Sequence, residues 1–308
     1  MTGSHPVEQA EHVAERLGNV KGVVAVALGG SITRGAGHPN SDVDLGIYYR
    51  PDNSPSVAEL RRLAGELDDR HPSDAVTSFG EWGPWVNGGG WLVVEGQRMD
   101  WLYRDLDRVE EVIAECRAGR PTCYYQVGHP HGFHNHMYIA EVHHNLLLFD
   151  PDGALAVLKE QTVPYPPPLK SALIKKYLWE AHFALETSRK PAGRGDVFYV
   201  SGCAFRCVAC LVQVLFALNE RYFVNEKGSV RAVRGFTSGP PDFEKIVEEA
   251  LGRMGVDPAN LEETVDRLGG LVREVEELCE GVLRRDGGAT LRSAGRTRGV
   301  DTPIRREE

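Results

Sequence analysis

The chain has 308 residues, of which 42% are hydrophobic and 26% are charged. This balance is typical of globular proteins and excludes a mostly disordered chain. The formal net charge of −9 gives no overall attraction to a nucleic acid, so such a partner would need a local basic patch. Six cysteines are too few for a disulfide framework, and the length predicts about two domains.

The apolar segments predict no membrane span. The longest apolar runs, residues 23–28 and residues 211–217 around Gln213, are much shorter than the roughly 20 residues that cross a bilayer. The N-terminal residues are polar and acidic and carry no signal-peptide core. We therefore expect a cytoplasmic protein with no membrane partner.

Strand and helix patterns alternate through the first half of the chain. The helices show apolar residues three and four positions apart, and the strands are short apolar runs. The first predicted elements are a helix over 7–17 and strands over 23–28 and 44–49. A helix that begins with a capping box at residues 56–59 and ends at Leu67 follows, and then a hairpin over 91–94 and 99–103 with its turn at Glu95-Gly96. The last predicted elements of this half are a helix over 109–116 ended by Gly119 and strands over 138–142 and 146–149.

The composition changes at the proline-rich segment 163–168, which cannot be helical and is typical of a linker. Beyond it the periodicity is helical only. The sequence therefore predicts an α+β protein with an N-terminal domain over 1–162 and a C-terminal helical domain over 168–285. The predicted helices lie over 169–189, about 195–221, 242–254 and 260–285, and a disordered tail is predicted over 286–308.

A glycine-rich turn follows the predicted strand over 23–28. Gly29 and Gly30 let the backbone approach a ligand closely, and the N–H groups of a helix that starts here favour anions. The hydroxyl group of Ser31 can add a hydrogen bond to a phosphate group. Strand-to-helix turns often contain such residues without a ligand, so this segment alone is a weak signal.

Three acidic residues make a phosphate-binding role of this turn more specific. Asp42 and Asp44 stand two residues apart at the start of a strand, which places both carboxylates on one face. Neighbouring carboxylates repel each other, and Mg²⁺ bound to a triphosphate supplies the positive charge that they need. Asp100, the lone acid in the apolar strand over 99–103, is the candidate for a third ligand. Two metal ions held in this way stabilise both the attacking and the leaving oxygen of a phosphoryl displacement.

Residues 29–31, the Ser-Asp-Val-Asp-Leu segment over 41–45 and the later Asp100 follow one another in this order. Together they resemble the polymerase-β-type nucleotidyltransferase superfamily. Within it, the chain is similar to the bacterial aminoglycoside and lincosamide nucleotidyltransferases, which also carry a helical domain behind the catalytic one. The resemblance implies an N-terminal catalytic domain with a short mixed sheet and flanking helices, followed by a helical bundle.

The resemblance also implies roles for individual residues. Ser31 and the backbone of the preceding glycines would hold the β- and γ-phosphates of the nucleotide. Asp42, Asp44 and Asp100 would bind the metal, expected to be two Mg²⁺ ions, and Asp100 would help to deprotonate the acceptor hydroxyl group. Arg34, one turn into the helix, would reach a phosphate or pair with an acid.

Residues farther along the chain leave alternatives open. Lys227 is a candidate triphosphate contact from the helical domain, or else an ordinary exposed lysine. His129, His131, His134 and His136 lie in one short segment that either is structural, or lines an acceptor pocket, or binds a metal ion. One of these histidines could also act as a general base.

Four tryptophans lie close together in the sequence, and each either packs in the core or stacks on a base or an acceptor ring. They are Trp82, Trp85, Trp91 and Trp101.

The sequence thus predicts a Mg²⁺-dependent nucleotidyltransferase. It would move a nucleoside monophosphate from an NTP, with ATP as the default donor, to a hydroxyl group of a small acceptor such as an antibiotic, and release pyrophosphate. An acidic protein would attract a cationic acceptor of the aminoglycoside type. The alternatives are a toxin-like or regulatory enzyme acting on tRNA or protein, and a nucleotide sensor with little turnover. The oligomeric state is open, with a homodimer as one option.

Overall fold

The structure is a computed structural model that describes residues 6–35 and 41–285. The helices are α1 (Pro6–Gly18), α2 (Gly30–Thr33), α3 (Val57–Leu67), α4 (Leu106–Arg117), α5 (His136–His144), α6 (Ala154–Glu160), α7 (Pro167–Ala192), α8 (Val197–Leu218), α9 (Ser229–Ala232), α10 (Phe243–Gly252) and α11 (Pro258–Arg285). The strands are β1 (Val23–Leu28), β2 (Val43–Tyr49), β3 (Gly89–Val94), β4 (Gln97–Asp105), β5 (Cys123–Tyr124), β6 (Phe133–His134) and β7 (Leu146–Phe149). The tail predicted to be disordered lies outside the described residues.

The described residues form two compact units. The first contains residues 6–35 and 41–173 together with residues 220–229. The second contains residues 174–219 and 230–285. The first unit is therefore built from separate stretches of the chain, and residues 220–229 belong to the unit that holds the sheet.

The sheet of the first unit has the strand order β3-β4-β2-β1-β7. β2 and β4 are parallel, whereas the other neighbouring strands are antiparallel. The predicted mixed sheet with flanking helices, followed by a helical region, is therefore confirmed. The hairpin between β3 and β4 is also confirmed, since Glu95 and Gly96 both have positive φ angles, of 51° and 79°, as a two-residue type I′ turn requires.

Side chains alternate between the two faces of this sheet, and one face forms the core. The core residues of β2 and β4 are all fully buried, and they cluster with apolar residues of α1 and α3. They are Val43, Leu45, Ile47, Met99, Trp101 and Tyr103. The residues between them, among them Asp44 and Asp100, consequently point to the opposite face.

The strand predicted over 138–142 is wrong, because these residues lie in helix α5. A short apolar run does not distinguish a buried strand from a buried helix, and α5 is buried on most of its surface. Lys159 stabilises the end of this helix, since its Nζ atom donates to the carbonyl oxygens of Val142 at 3.3 Å and His143 at 2.7 Å. This satisfies carbonyl groups that a helix C-terminus leaves without partners.

The second unit is helical, as predicted. Its helix α8 begins after Asp196, whose carboxylate accepts a hydrogen bond from the backbone N–H of Tyr199 at 3.1 Å. By length and composition α8 is apolar enough to cross a membrane. The apolar runs of the sequence did not indicate this, because a few small and polar residues divide the apolar residues of α8 into short runs. However, 67% of its most apolar stretch is buried inside the protein, a pattern that core helices also show.

Candidate active site

Two of the acids predicted to bind metal, one on β2 and one on β4, meet on the sheet face opposite to the core. Asp44 of β2 and Asp100 of β4 are direct register partners in the parallel ladder. Asp42 precedes β2 by one residue, and its Oδ1 atom lies 2.6 Å from Nε of Arg98 on β4. Strand pairing therefore brings the three predicted carboxylates into one patch.

The glycine-rich turn lies directly against Asp44. The backbone N–H of Gly29 donates to the carbonyl oxygen of Asp44 at 2.8 Å. Gly30 has a φ of +73°, and a Cβ atom at this position would overlap Oδ2 of the Asp44 carboxylate. Gly30 is thus required both by the backbone conformation and by the close approach of the acid. Ser31 follows in the first turn of α2, and Nε of Arg34 donates to the carbonyl oxygen of Gly30 at 3.0 Å.

Burial and mutual repulsion perturb these acids. Burial, followed by the charges of Asp100, Asp42 and Glu141, raises the pKa of Asp44 to about 6, against a smaller opposing effect of Lys227. The pKa of Asp100 is also raised, mainly by burial and then by Asp42. Carboxyl groups that destabilise one another's charged forms make a site that favours bound cations.

Lys227 lies near this patch, because its charge acts on both Asp44 and Asp100. It was predicted to reach the site from the helical domain, but residues 220–229 belong to the first unit. This segment is anchored by the hydroxyl group of Tyr222, which donates to the carbonyl oxygen of Thr162 at 2.8 Å. The side chain of Lys227 is exposed, as a group that meets an incoming anion should be.

Sequence reasoning missed Glu141. It forms a bidentate ion pair with Arg104 of β4, with N–O distances of 2.8 and 2.9 Å, and Arg104 is 4% exposed. The negative charge of Glu141 also contributes to the raised pKa of Asp44. Because residues 138–142 were predicted as a strand, nothing in the sequence placed this side chain on the helix that covers Arg104.

The histidines of the 129–136 segment divide into two kinds. His134 and His136 are buried, and Nε2 of His134 lies 3.3 Å from Nδ1 of His131, which favours a structural role. His129 instead has a pKa lowered by burial, with the charges of Glu226, Glu141 and Lys227 among the further influences. His129 therefore lies among charged groups that also act on the carboxylate patch, and its role as a general base stays a prediction.

The four tryptophans of the sequence segment 82–101 differ in how exposed they are. Trp101 is fully buried in the core. Trp85 is nearly buried and stacks on Tyr124 with ring centroids 4.3 Å apart. Trp91 is 64% exposed and stacks on Trp82, with ring centroids 4.5 Å apart and an angle of 25° between the rings. Only for this last pair does the structure leave open the predicted stacking on a ligand ring.

This chain is similar to two family models and to a solved structure. Residues 8–81 match the family model described as a nucleotidyltransferase domain, and residues 134–227 match a domain of unknown function, DUF4037. A nucleotidyltransferase-like protein from Exiguobacterium sibiricum is similar in structure, with a TM-score of 0.45 and 12% identity over 91% of this chain and 80% of that chain. No curated protein sequence matches. The first match spans the glycine-rich turn, Asp42 and Asp44, so this N-terminal part of the chain is similar to nucleotidyltransferase domains.

Proposed function

We propose that this protein transfers a nucleoside monophosphate from an NTP, with ATP as the default donor, to a hydroxyl group of a small acceptor. The observation that carries the proposal is the register pairing of Asp44 and Asp100 directly beside the glycine-rich turn. This arrangement unites a close backbone approach for phosphates with carboxylates on adjacent strands. The match of residues 8–81 to a nucleotidyltransferase domain supports the same reaction class.

The carboxylate patch fits a divalent cation. Asp42, Asp44 and Asp100 offer oxygen ligands, which Mg²⁺ prefers. Burial, and then the neighbouring carboxylates, raise the pKa of Asp44 and the pKa of Asp100, and a bound cation would relieve this repulsion. These three residues would hold the metal, expected as two Mg²⁺ ions. Bound there, Mg²⁺ would neutralise charge on the phosphate oxygens and make the α-phosphorus more electrophilic.

The chain's own groups account for the positioning of the substrates. The backbone N–H groups of the glycine-rich turn bind a phosphate, the hydroxyl group of Ser31 donates to a phosphate oxygen, and Arg34 and Lys227 add positive charge. The acceptor oxygen forms a bond to the α-phosphorus while the bond from that phosphorus to the bridging oxygen breaks. Pyrophosphate leaves with the electron pair, and the carboxylate of Asp100 takes the acceptor's proton.

The acceptor is a small molecule in this proposal, because a net charge of −9 disfavours nucleic acids and attracts cationic compounds. Hydroxyl-bearing antibiotics of the aminoglycoside type meet both conditions. The same chemistry suits a cytoplasmic enzyme, since ATP and Mg²⁺ are supplied there.

The test measures transfer of radiolabel from α-labelled NTPs to a panel of hydroxyl acceptors that includes antibiotics and bulk tRNA. We expect acceptor-dependent transfer that requires Mg²⁺ and falls at least about 100-fold in Asp100→Asn, since this variant loses both a charge and a proton acceptor. Asp152→Asn, which changes an exposed aspartate outside the patch, is the matched control. Transfer that survives in Asp100→Asn, or that uses only tRNA, contradicts the proposal.

A further inference from the structure

An exposed tryptophan stands next to the carboxylate patch, in the same row of the sheet. Trp91 of β3 is the direct register partner of Asp100, which in turn is the register partner of Asp44. Side chains at directly opposed positions of an antiparallel pair share a face, with Cβ atoms about 5 Å apart. The row therefore runs from Trp91 through Asp100 and Asp44 to the glycine-rich turn, where Gly29 binds the backbone of Asp44.

This tryptophan is held in place although it is exposed. One face of its indole ring is covered by Trp82. Its carbonyl oxygen accepts a hydrogen bond from Nη2 of Arg70 at 2.7 Å, and Asp68 fixes that guanidinium group at 2.6 Å. The carbonyl oxygen of Trp82 accepts from Nε2 of Gln126 at 2.7 Å. The indole pair is thus an ordered aromatic surface, and its exposure is not the result of a loose loop.

The direction of the reaction decides which substrate meets this surface. In a phosphoryl displacement the attacking and leaving oxygens stand roughly in line on opposite sides of the phosphorus. In the proposed function the triphosphate binds at the glycine-rich turn, which is one end of the row. The acceptor must then enter from the other end, over Asp100, where Trp91 stands.

We infer that Trp91, supported by Trp82, binds a ring of the acceptor and so selects cyclic hydroxyl compounds. This inference rests on the proposed function. An indole face binds the C–H face of a sugar-like ring and attracts a cation, while neighbouring carboxylates attract amino groups. The ligand class is therefore a cyclitol or amino sugar with a hydroxyl group that Asp100 can reach.

Binding measured without any nucleotide tests the inference separately from turnover. Ligand-observed NMR compares myo-inositol, glucosamine and 2-deoxystreptamine with the open-chain polyols mannitol and sorbitol on the full chain. We expect the cyclic compounds to bind better than the open-chain ones. We expect about tenfold weaker binding in Trp91→Ala and recovery in Trp91→Phe, since loss of one stacking face has about this effect. Trp179→Ala is the matched control, because Trp179 is 63% exposed and also stacks on a neighbouring ring.

Three outcomes would overturn the inference. The first is equal binding of cyclic and open-chain compounds, and the second is unchanged binding of the cyclic compounds in Trp91→Ala. The third is that Trp91→Ala weakens the binding of Mg²⁺–ATP and not that of the cyclic compounds, which would assign the indole to the nucleobase. Failure of nucleotidyl transfer with ring binding that still depends on Trp91 would refute the proposed function and leave the aromatic binding surface. Intact nucleotidyl transfer together with ring binding that does not depend on Trp91 would support the proposed function and refute the inference about Trp91.

Discussion

Asp44→Asn is expected to stabilise the metal-free protein while it abolishes activity. The pKa of Asp44 rises from 3.8 to about 6 on folding, mainly because of burial and then because of Asp100 and Asp42. At neutral pH this carboxyl group is therefore ionised in the folded chain although its surroundings favour the neutral form. The difference corresponds to about 3 kcal/mol of stability that the charge removes. Asparagine has nearly the same shape and carries no charge, so the variant escapes this penalty.

The sign of the effect depends on pH. A carboxyl group with a higher pKa in the folded chain binds more protons when folded, so its contribution to stability falls as the pH rises from 3.8 to about 6 and then stays constant. The advantage of Asp44→Asn over the wild type should therefore be complete at pH 7.5. It should be nearly absent at pH 4, where Asp44 is protonated in the folded wild type.

Urea unfolding in EDTA, followed by tryptophan fluorescence, measures this difference. Trp82, Trp85, Trp91 and Trp101 all lie in the unit that holds Asp44, so the signal reports mainly on that unit. Asp152→Asn serves again as the exposed control and should unfold like the wild type at both pH values. Equal or lower stability of Asp44→Asn at pH 7.5 would refute the account, because it would mean that Asp44 is stabilised by its surroundings even without metal.

Four further predictions concern the same site. Mg²⁺ affinity, measured by calorimetry, should rise about tenfold between pH 5 and pH 7 and level off above, because a proton on Asp44 competes with the metal. A flat profile would contradict this. Gly30→Ala should weaken ATP binding and lower the melting temperature, since its Cβ atom would overlap the Asp44 carboxylate. Lys227→Gln should raise the KM for ATP about tenfold with little change in kcat. Arg104→Met should destabilise the protein by about 3 kcal/mol in urea unfolding, because it leaves Glu141 without its ion pair, and replacing Glu141 with leucine as well should recover much of this loss.

The parts of the site that sequence reasoning predicted depend on local patterns. Two-residue spacing predicts that Asp42 and Asp44 lie on the same side of an extended segment, and the glycines before α2 mark a turn by their own conformational freedom. The hairpin at Glu95 and Gly96 was predicted for the same reason. Even here the local rule has limits, since Ser56 is the N-cap of α3 but its hydroxyl group makes no capping hydrogen bond.

The parts that were missed depend on distant pairing. The position of Glu141 follows from its ion pair with Arg104, which lies 37 residues away in the chain, and the apolar run around Glu141 does not reveal a helix. Lys227 lies near the carboxylates because residues 220–229 belong to the first unit, and no change in composition marks this in the sequence. The sequence likewise gives no register between β3 and β4, and so cannot single out Trp91 among four tryptophans.

Register is therefore the property on which the whole site depends. The row from the glycine-rich turn to Trp91 includes β2, β4 and β3, and a slip by one residue in any of these three strands would turn an acid or the indole into the core. The structure holds the register at both ends. The close approach of Gly30 to Asp44 ties β2 to the end of β1, and the two-residue turn at Glu95-Gly96 pairs Val94 with Gln97 and so sets Trp91 opposite Asp100. The same short turn that makes the hairpin predictable thus also determines which aromatic ring lies beside Asp100.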